Sequence, residues 1–320
     1  MRFETDNGPL PESLRGASLP RAAKRLFLAS RAMFFPASVV PVLLGTAWGV
    51  RAAGELDAGA FAMALAAIVL VHAAVNVAND VCDDIGGSDA INTGRVYPFT
   101  GGSRFIQAGI MDRGAMRRLA LFLLAVAGLF GIALAALKGA VVIALGLLGA
   151  ALGMAYSATP LQLSARGLGE LAVGLGFGVL PVMGAAWLQT GTFGFDSLLI
   201  SLPLSCWVFN ILLINEIPDI EADAAVGKRT LPVRWGLQGT WPLYLATNTL
   251  ALLAVATAVG LGHLPIVAIA LPGLLLLVAL YIASTLARGA PARSTLVTAI
   301  KATLTIHAAG GLWLTVFAWP

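Results

Sequence analysis

Two polar strings, NVANDVCDD at residues 76–84 and NEIPDIEAD at residues 215–223, interrupt a chain whose residues are 58% hydrophobic. Asn76, Asp80 and Asp84 are spaced four apart, and Asn215, Asp219 and Asp223 repeat the spacing 139 positions later. On a helix such positions drift by only about 40° per step, so each triplet lines one face, and Asp83 joins the first from a neighbouring turn. Two facing sets of carboxylates repel one another and lose hydration. A divalent cation resolves that conflict, and hard oxygen donors shared with water and phosphate suit Mg²⁺. The sequence holds no cluster of His and Cys that would favour zinc.

The loops after each string supply the complementary charge. GKRT carries Lys228 and Arg229, and RVYPFTGGSR carries Arg95, Arg104 and the Gly101–Gly102 pair. Glycine lets backbone N–H groups approach a phosphate, and arginine grips its oxygens in a fork. A Mg²⁺-bound diphosphate held between two helices uses all of these groups together.

The elements that must position them are membrane spans. Only 11% of residues are charged and the mean hydropathy is +0.88. Nine apolar stretches, near 32–50, 58–79, 118–137, 139–156, 168–189, 197–216, 240–261, 264–287 and 299–319, approach the roughly 20 residues a helix needs to cross a bilayer. They lack the alternation of strands, so the fold class is all-α, a polytopic membrane protein. With the N-terminus in the cytoplasm, 18 of the 20 Lys and Arg residues fall on the cytoplasmic side, leaving Arg51 and Lys138 outside. That bias accounts for the net charge of +4 without any nucleic acid. Residues 1–25 read as a flexible cytoplasmic tail and 26–320 as one transmembrane domain. A cleaved signal peptide is not expected, because the first apolar segment starts late and continues into further spans. Cys82 and Cys206 read as packing residues. Both aspartate strings close a span on the same side, four spans apart, which suggests two four-helix units plus a ninth helix with a ligand site at their interface.

Other residues carry two readings each. Tyr156 and Glu170 either orient a second substrate or, for Tyr156, anchor the helix at the interface. His72 lies inside a span and reads first as a histidine bonded between helices. Asp112, Glu216 and Glu221 read as solvated loop charges, while Asp89 is either solvated or part of the metal cluster. Pro36, Pro41, Pro181 and Pro203 bend spans, and GLGELAVGLGFG marks close helix packing.

NVANDVCDDIGGSD taken with NEIPDIEADAAVGKRTLPVRWG resembles the UbiA superfamily of intramembrane prenyltransferases. RAMFFPASVVPVLLG and YSATPLQLSARGLGELAVGLGFG extend the similarity, which runs from Arg31 to Gly236. The resemblance implies nine helices around a central cavity open sideways to lipid, in a bacterial cytoplasmic membrane. It implies that Asn76, Asp80, Asp83 or Asp84, Asp219 and Asp223 hold metal and diphosphate, with Lys228, Arg229 and Arg104 on phosphate oxygens. Asn79, Asn215 and Tyr156 join them as substrate-binding candidates. The reaction implied is ionisation of an allylic diphosphate and capture of the cation by an electron-rich acceptor. GKRTLPVR and the Gly87–Asp89 region look most similar to the menaquinone branch, whose acceptor is 1,4-dihydroxy-2-naphthoate; the YPFTGGSRFIQAG loop departs from it, which keeps 4-hydroxybenzoate, a lipid and haem open. A cation-coupled transporter would place acidic residues nearer mid-membrane, and a CDP-alcohol phosphotransferase would carry D-G-x-x-A-R, which does not occur. Oligomeric state is not legible.

Overall fold

The computed structural model describes residues 14, 16, 18–289 and 291–320. Among these the regular structure is entirely helical. A helix α1 (Leu19–Ala29) comes first among the described residues and overlaps the end of the stretch 1–25 expected to be a loose tail; the rest of that tail, apart from 14, 16 and 18, lies outside the described residues. The long apolar helices are α2 (Pro36–Ala53), α3 (Ala58–Gly86), α5 (Arg113–Lys138), α6 (Val141–Ser157), α7 (Gly169–Thr190), α8 (Phe195–Asn215), α10 (Leu231–Gly260), α11 (Ala270–Leu286) and α12 (Arg293–Ala318). Two short helices, α4 (Ser88–Ile91) and α9 (Ile220–Ala225), follow the aspartate strings. Eight of the helices are long and apolar enough to cross a bilayer, while α6, the fourth expected span, has 17 residues. At 1.5 Å per residue it rises about 26 Å, slightly short of the hydrocarbon core.

Each spanning segment packs on the next in a closed ring, from α2 through α3, α5, α6, α7, α8, α10, α11 and α12 back to α2. The two four-helix units meet along α2 and α7, the first helix of each. A Cβ on Gly49 would come within 2.7 Å of the Ala186 carbonyl oxygen, and one on Gly45 would collide with Val182, four residues earlier on α7. The shared four-residue step shows that the two helices run parallel at backbone contact, as small residues permit. Ser205 Oγ on α8 donates to the Gly174 carbonyl of α7 at 2.9 Å, at the start of a π-helical stretch, Gly174–Val179. Drawing that carbonyl aside accounts for the wider turn.

The interior is unequal. The largest apolar core gathers α8, α10, α11 and α12 with part of α2 and α7, around Trp207, Tyr244, Leu204 and Ile300. Within it, Thr247 donates to Asn210 Oδ1 at 2.6 Å, and Tyr244 and Thr303 hydroxyls lie 3.0 Å apart, tying three spans together. The other half encloses a cavity of about 580 Å³ bounded by α2, α3, α5, α6, α7 and α8. Its walls are apolar except for Arg31, His72, Asn76, Asn79, Tyr156 and Asn215. Ile132, Ile143 and Leu147 line the gap between α5 and α6 and are also exposed.

Candidate active site

The polar end of the cavity coincides with the ends of α3, α6 and α8, where the aspartate strings begin. Asn76 Nδ2 donates to the Ser30 carbonyl at 2.9 Å and Asn79 Nδ2 to Ser157 Oγ at 3.1 Å, so both amides hold neighbouring segments while facing the cavity. Asn215 also lines the cavity, and its Oδ1 has no partner. The aspartates stand beyond this layer, towards the loops.

Asp80 is buried at the end of α3. Its Oδ2 accepts from the Ser103 N–H at 3.0 Å and from the Ser103 hydroxyl, while Oδ1 is buried without any partner. A Cβ on Gly102 would lie 2.8 Å from that oxygen and 3.2 Å from Asp89 Oδ2. Gly102 has φ of +70°, so its backbone suits glycine, and its missing side chain leaves the space between the two carboxylates unfilled. An unpartnered hard oxygen beside a second carboxylate fits a Mg²⁺ ion, whose ligands are oxygens. Among the described residues no three His, Cys, Asp or Glu side chains close into a ready cage, so such an ion would draw its remaining ligands from water and substrate.

The second string meets the first across Lys228. Its ammonium lies 2.6 Å from Asp83 Oδ1 and 3.4 Å from Asp223 Oδ1. Burial alone would lower the Lys228 pKa, but the two carboxylates outweigh it and raise the value above that of a free lysine. Asp219 Oδ1 accepts from Asn92 Nδ2 at 2.7 Å and Thr100 Oγ1 at 3.2 Å, both from the loop after the first string. Asp80, Asp83, Asp219 and Asp223 are thus joined through one loop and one lysine.

Asp84 is not part of this group. It pairs with Arg113 at 2.6 Å and accepts from Gln107 at 3.1 Å, on the outer side of α3. Of the adjacent aspartates expected to compete for the metal, Asp83 faces the second string. Arg104, expected on phosphate oxygens, is instead bonded to the carbonyls of Gly101, Asn92 and Asp89, clamping the loop in a backbone conformation with φ of +62°. Arg229 keeps an exposed side chain, and its backbone N–H bonds the Ala165 carbonyl at 2.8 Å.

Glu216, expected as a solvated charge, is buried, as is Glu170; both oxygens of Glu170 and one of Glu216 lack partners. Tyr156 packs nearby, its ring edge 3.3 Å from where a Gly169 Cβ would stand. Asp89 is buried as well, and that burial, with Asp83 adding to it, pushes its pKa up to about 7 against the opposing pull of Arg104. Arg31 was legible only as a topology charge. It lines the cavity and donates from Nη2 to the Phe99 carbonyl at 2.9 Å, while its Nε is buried without a partner. Cys82 and Cys206 are free thiols.

Residues 38–305 match the UbiA prenyltransferase family. The 1,4-dihydroxy-2-naphthoate octaprenyltransferase of Bacillus subtilis is 30% identical over 226 residues, 71% of this chain and 70% of the relative. The protein of the same name from Mycobacterium tuberculosis is 34% identical over 221 residues, 67% of this chain and 71% of its own. In fold, the chain is similar to a UbiA homologue from Archaeoglobus fulgidus solved with DMAPP and Mg²⁺, with a TM-score of 0.63 at 15% identity over 91% of this chain and 99% of that one. A polytopic helical chain with two facing aspartate strings, matched across most of its length, belongs to the UbiA prenyltransferase family.

Proposed function

We propose that the protein transfers a polyprenyl group from an isoprenyl diphosphate to 1,4-dihydroxy-2-naphthoate, in a Mg²⁺-dependent reaction at the cytoplasmic face of a bacterial membrane. The observation that carries the reading is the meeting of Asp80, Asp83, Asp219 and Asp223, bridged by Lys228 and one loop, at the polar end of an apolar cavity. The naphthoate acceptor is supported by the names of the Bacillus and Mycobacterium relatives, the metal by the ion bound in the archaeal homologue. Sidedness rests on the distribution of basic residues.

Bound Mg²⁺ would supply positive charge to the leaving diphosphate. Asp80, Asp83, Asp219 and Asp223 are the residues that would hold it, and Lys228 lies close enough to neutralise a phosphate oxygen. Cleavage of the allylic C1–O bond leaves its electron pair on the diphosphate. The electron-rich ring then forms the new C–C bond and loses its carboxylate as CO₂. The apolar walls exclude water that would otherwise capture the cation. The prenyl tail fits the same cavity, whose α5–α6 side carries the exposed Ile132, Ile143 and Leu147.

The test is turnover by purified protein with prenyl diphosphates, Mg²⁺ and a panel of aromatic acceptors, with and without chelator. Chelator-sensitive prenylation of dihydroxynaphthoate is the expected result. Diphosphate release without aromatic product would refute the acceptor, and solute flux without diphosphate release would refute the enzyme reading.

A further inference from the structure

We propose that His72 is the recognition residue for the acceptor ring, its Nε2 hydrogen-bonding an oxygen of a hydroxylated aromatic packed against Phe177. The inference rests on the prenyl-transfer reading above and assigns a subsite within it.

The placement of His72 is unlike that of the other polar groups lining the cavity. Tyr156 and Asn215 stand at the ends of their helices, Arg31 precedes the first long span, and Asn76 and Asn79 lie one and two turns nearer the end of α3 than His72. His72 lies one turn deeper than Asn76 and eight residues before Asp80, about 12 Å along the helix from the carboxylates. That is the depth at which a ring would sit below a diphosphate head held by the aspartates. Around it the lining is apolar: Ile68, Val71, Val75, Phe34, Phe177. A ligand pocket of this kind fixes orientation through a few polar groups, and His72 is the deepest of them here, with Asn76 a turn nearer the aspartates.

The imidazole is also fixed. Nδ1 lies 2.7 Å from Ser38 Oγ on α2, which sets the ring plane and leaves Nε2 as its free hydrogen-bonding edge. Phe35 and Phe177 hold the ring from two sides, with centroids at 5.4 and 4.6 Å. Phe177 belongs to the π-helical stretch of α7, and such single-turn bulges are frequent at functional sites. His307 provides the contrast. It is equally buried in α12, but its Nε2 is walled in without a partner and it does not line the cavity. His307 reads as packing, whereas His72 presents an edge to a space that holds ligand.

The experiment measures equilibrium binding of radiolabelled 1,4-dihydroxy-2-naphthoate and 4-hydroxybenzoate to the full chain in lipid nanodiscs, followed by steady-state kinetics. His72→Phe keeps the aromatic bulk and removes the hydrogen bond; His72→Gln retains a bonding end; Ser38→Ala frees the ring. His72→Phe is expected to weaken acceptor binding at least tenfold and to raise acceptor KM in parallel, with donor KM within twofold. His72→Gln is expected to recover most of the loss, and Ser38→Ala to fall between. In the wild type, a monomethyl ether of the acceptor should bind more weakly than the free phenol, and in His72→Phe the two should bind alike. Unchanged acceptor binding in His72→Phe would overturn the proposal, as would a selective change in donor KM or prenyl-length preference, which would place His72 on the tail channel. Wild-type protein that binds the acceptor through His72 but never prenylates it would sink the proposed function and leave this subsite standing. Wild-type protein that binds neither hydroxyarene would sink both.

Discussion

Replacing Gly102 with alanine tests the geometry of the aspartate site directly. The new methyl would stand 2.8 Å from Asp80 Oδ1 and 3.2 Å from Asp89 Oδ2, closer than ordinary carbon–oxygen contact. Asp80 cannot swing away freely, because its other oxygen is held by the N–H and hydroxyl of Ser103. The backbone adds strain of about 1–2 kcal/mol, since alanine at φ of +70° crowds its own carbonyl. Gly109→Ala is the matched control. It has φ of +64° and carries the same strain, but its methyl meets nothing within 4 Å. Both variants are therefore expected to lose similar thermal stability, while Gly102→Ala loses at least about 100-fold more turnover, roughly 2.7 kcal/mol of transition-state stabilisation. The assay is chelator-sensitive prenyl transfer alongside thermal unfolding of the same preparations. Equal turnover in the two variants would show that the space between Asp80 and Asp89 is not where the reaction is organised.

Other perturbations separate neighbouring residues. Asp83→Asn should abolish prenyl transfer, whereas Asp84→Asn should reduce it less than tenfold, because Asp84 is spent on Arg113 at the exterior; equal losses would refute the assignment. Gly49→Leu forces a branched side chain into the Ala186 backbone and should cost about 2–4 kcal/mol, read as a fall in unfolding temperature and in yield of membrane-inserted protein. The pKa of Asp89, about 7 in the fold against 3.8 as a free side chain, means the native state holds the extra proton between those values. Its contribution to stability should therefore decline as pH rises from 4 through 7 and level off above that, by up to about 4 kcal/mol. Asp89→Asn should flatten that decline, and a parallel pH profile in variant and wild type would exclude Asp89 as its source.

The spacing of the strings was legible because it depends only on helix periodicity, and the long apolar helices because they depend only on runs of apolar residues. The choice between Asp83 and Asp84 was not. Adjacent residues differ by about 100° on a helix, and the rotation that turns Asp83 inward is set by packing of α3 on α5 and by Arg113 and Lys228, 29 and 145 residues away. Burial of Glu216 had no local signal either, since a glutamate two residues before a proline reads as a loop until the α7 segment carrying Glu170 covers it. The carbonyl bonds of Arg104 were not legible either, because they depend on the folded path of the loop that carries it. The unequal interior was equally hidden: α5 and α11 have similar hydropathy, but one borders a cavity and the other a packed core.

The parallel contact between α2 and α7 also sets a schedule for biogenesis. Gly49 leaves the ribosome 137 residues ahead of its partner Ala186. At about 5–20 residues per second, the first helix waits roughly 7–27 s with its glycine face against lipid or an insertion chaperone. Three further spans thread in before the seam closes. The contact at the centre of the fold thus forms only once the first unit is complete. A slowed ribosome between Gly49 and Ala186 would lengthen the interval in which that bare backbone groove can pair with the wrong helix.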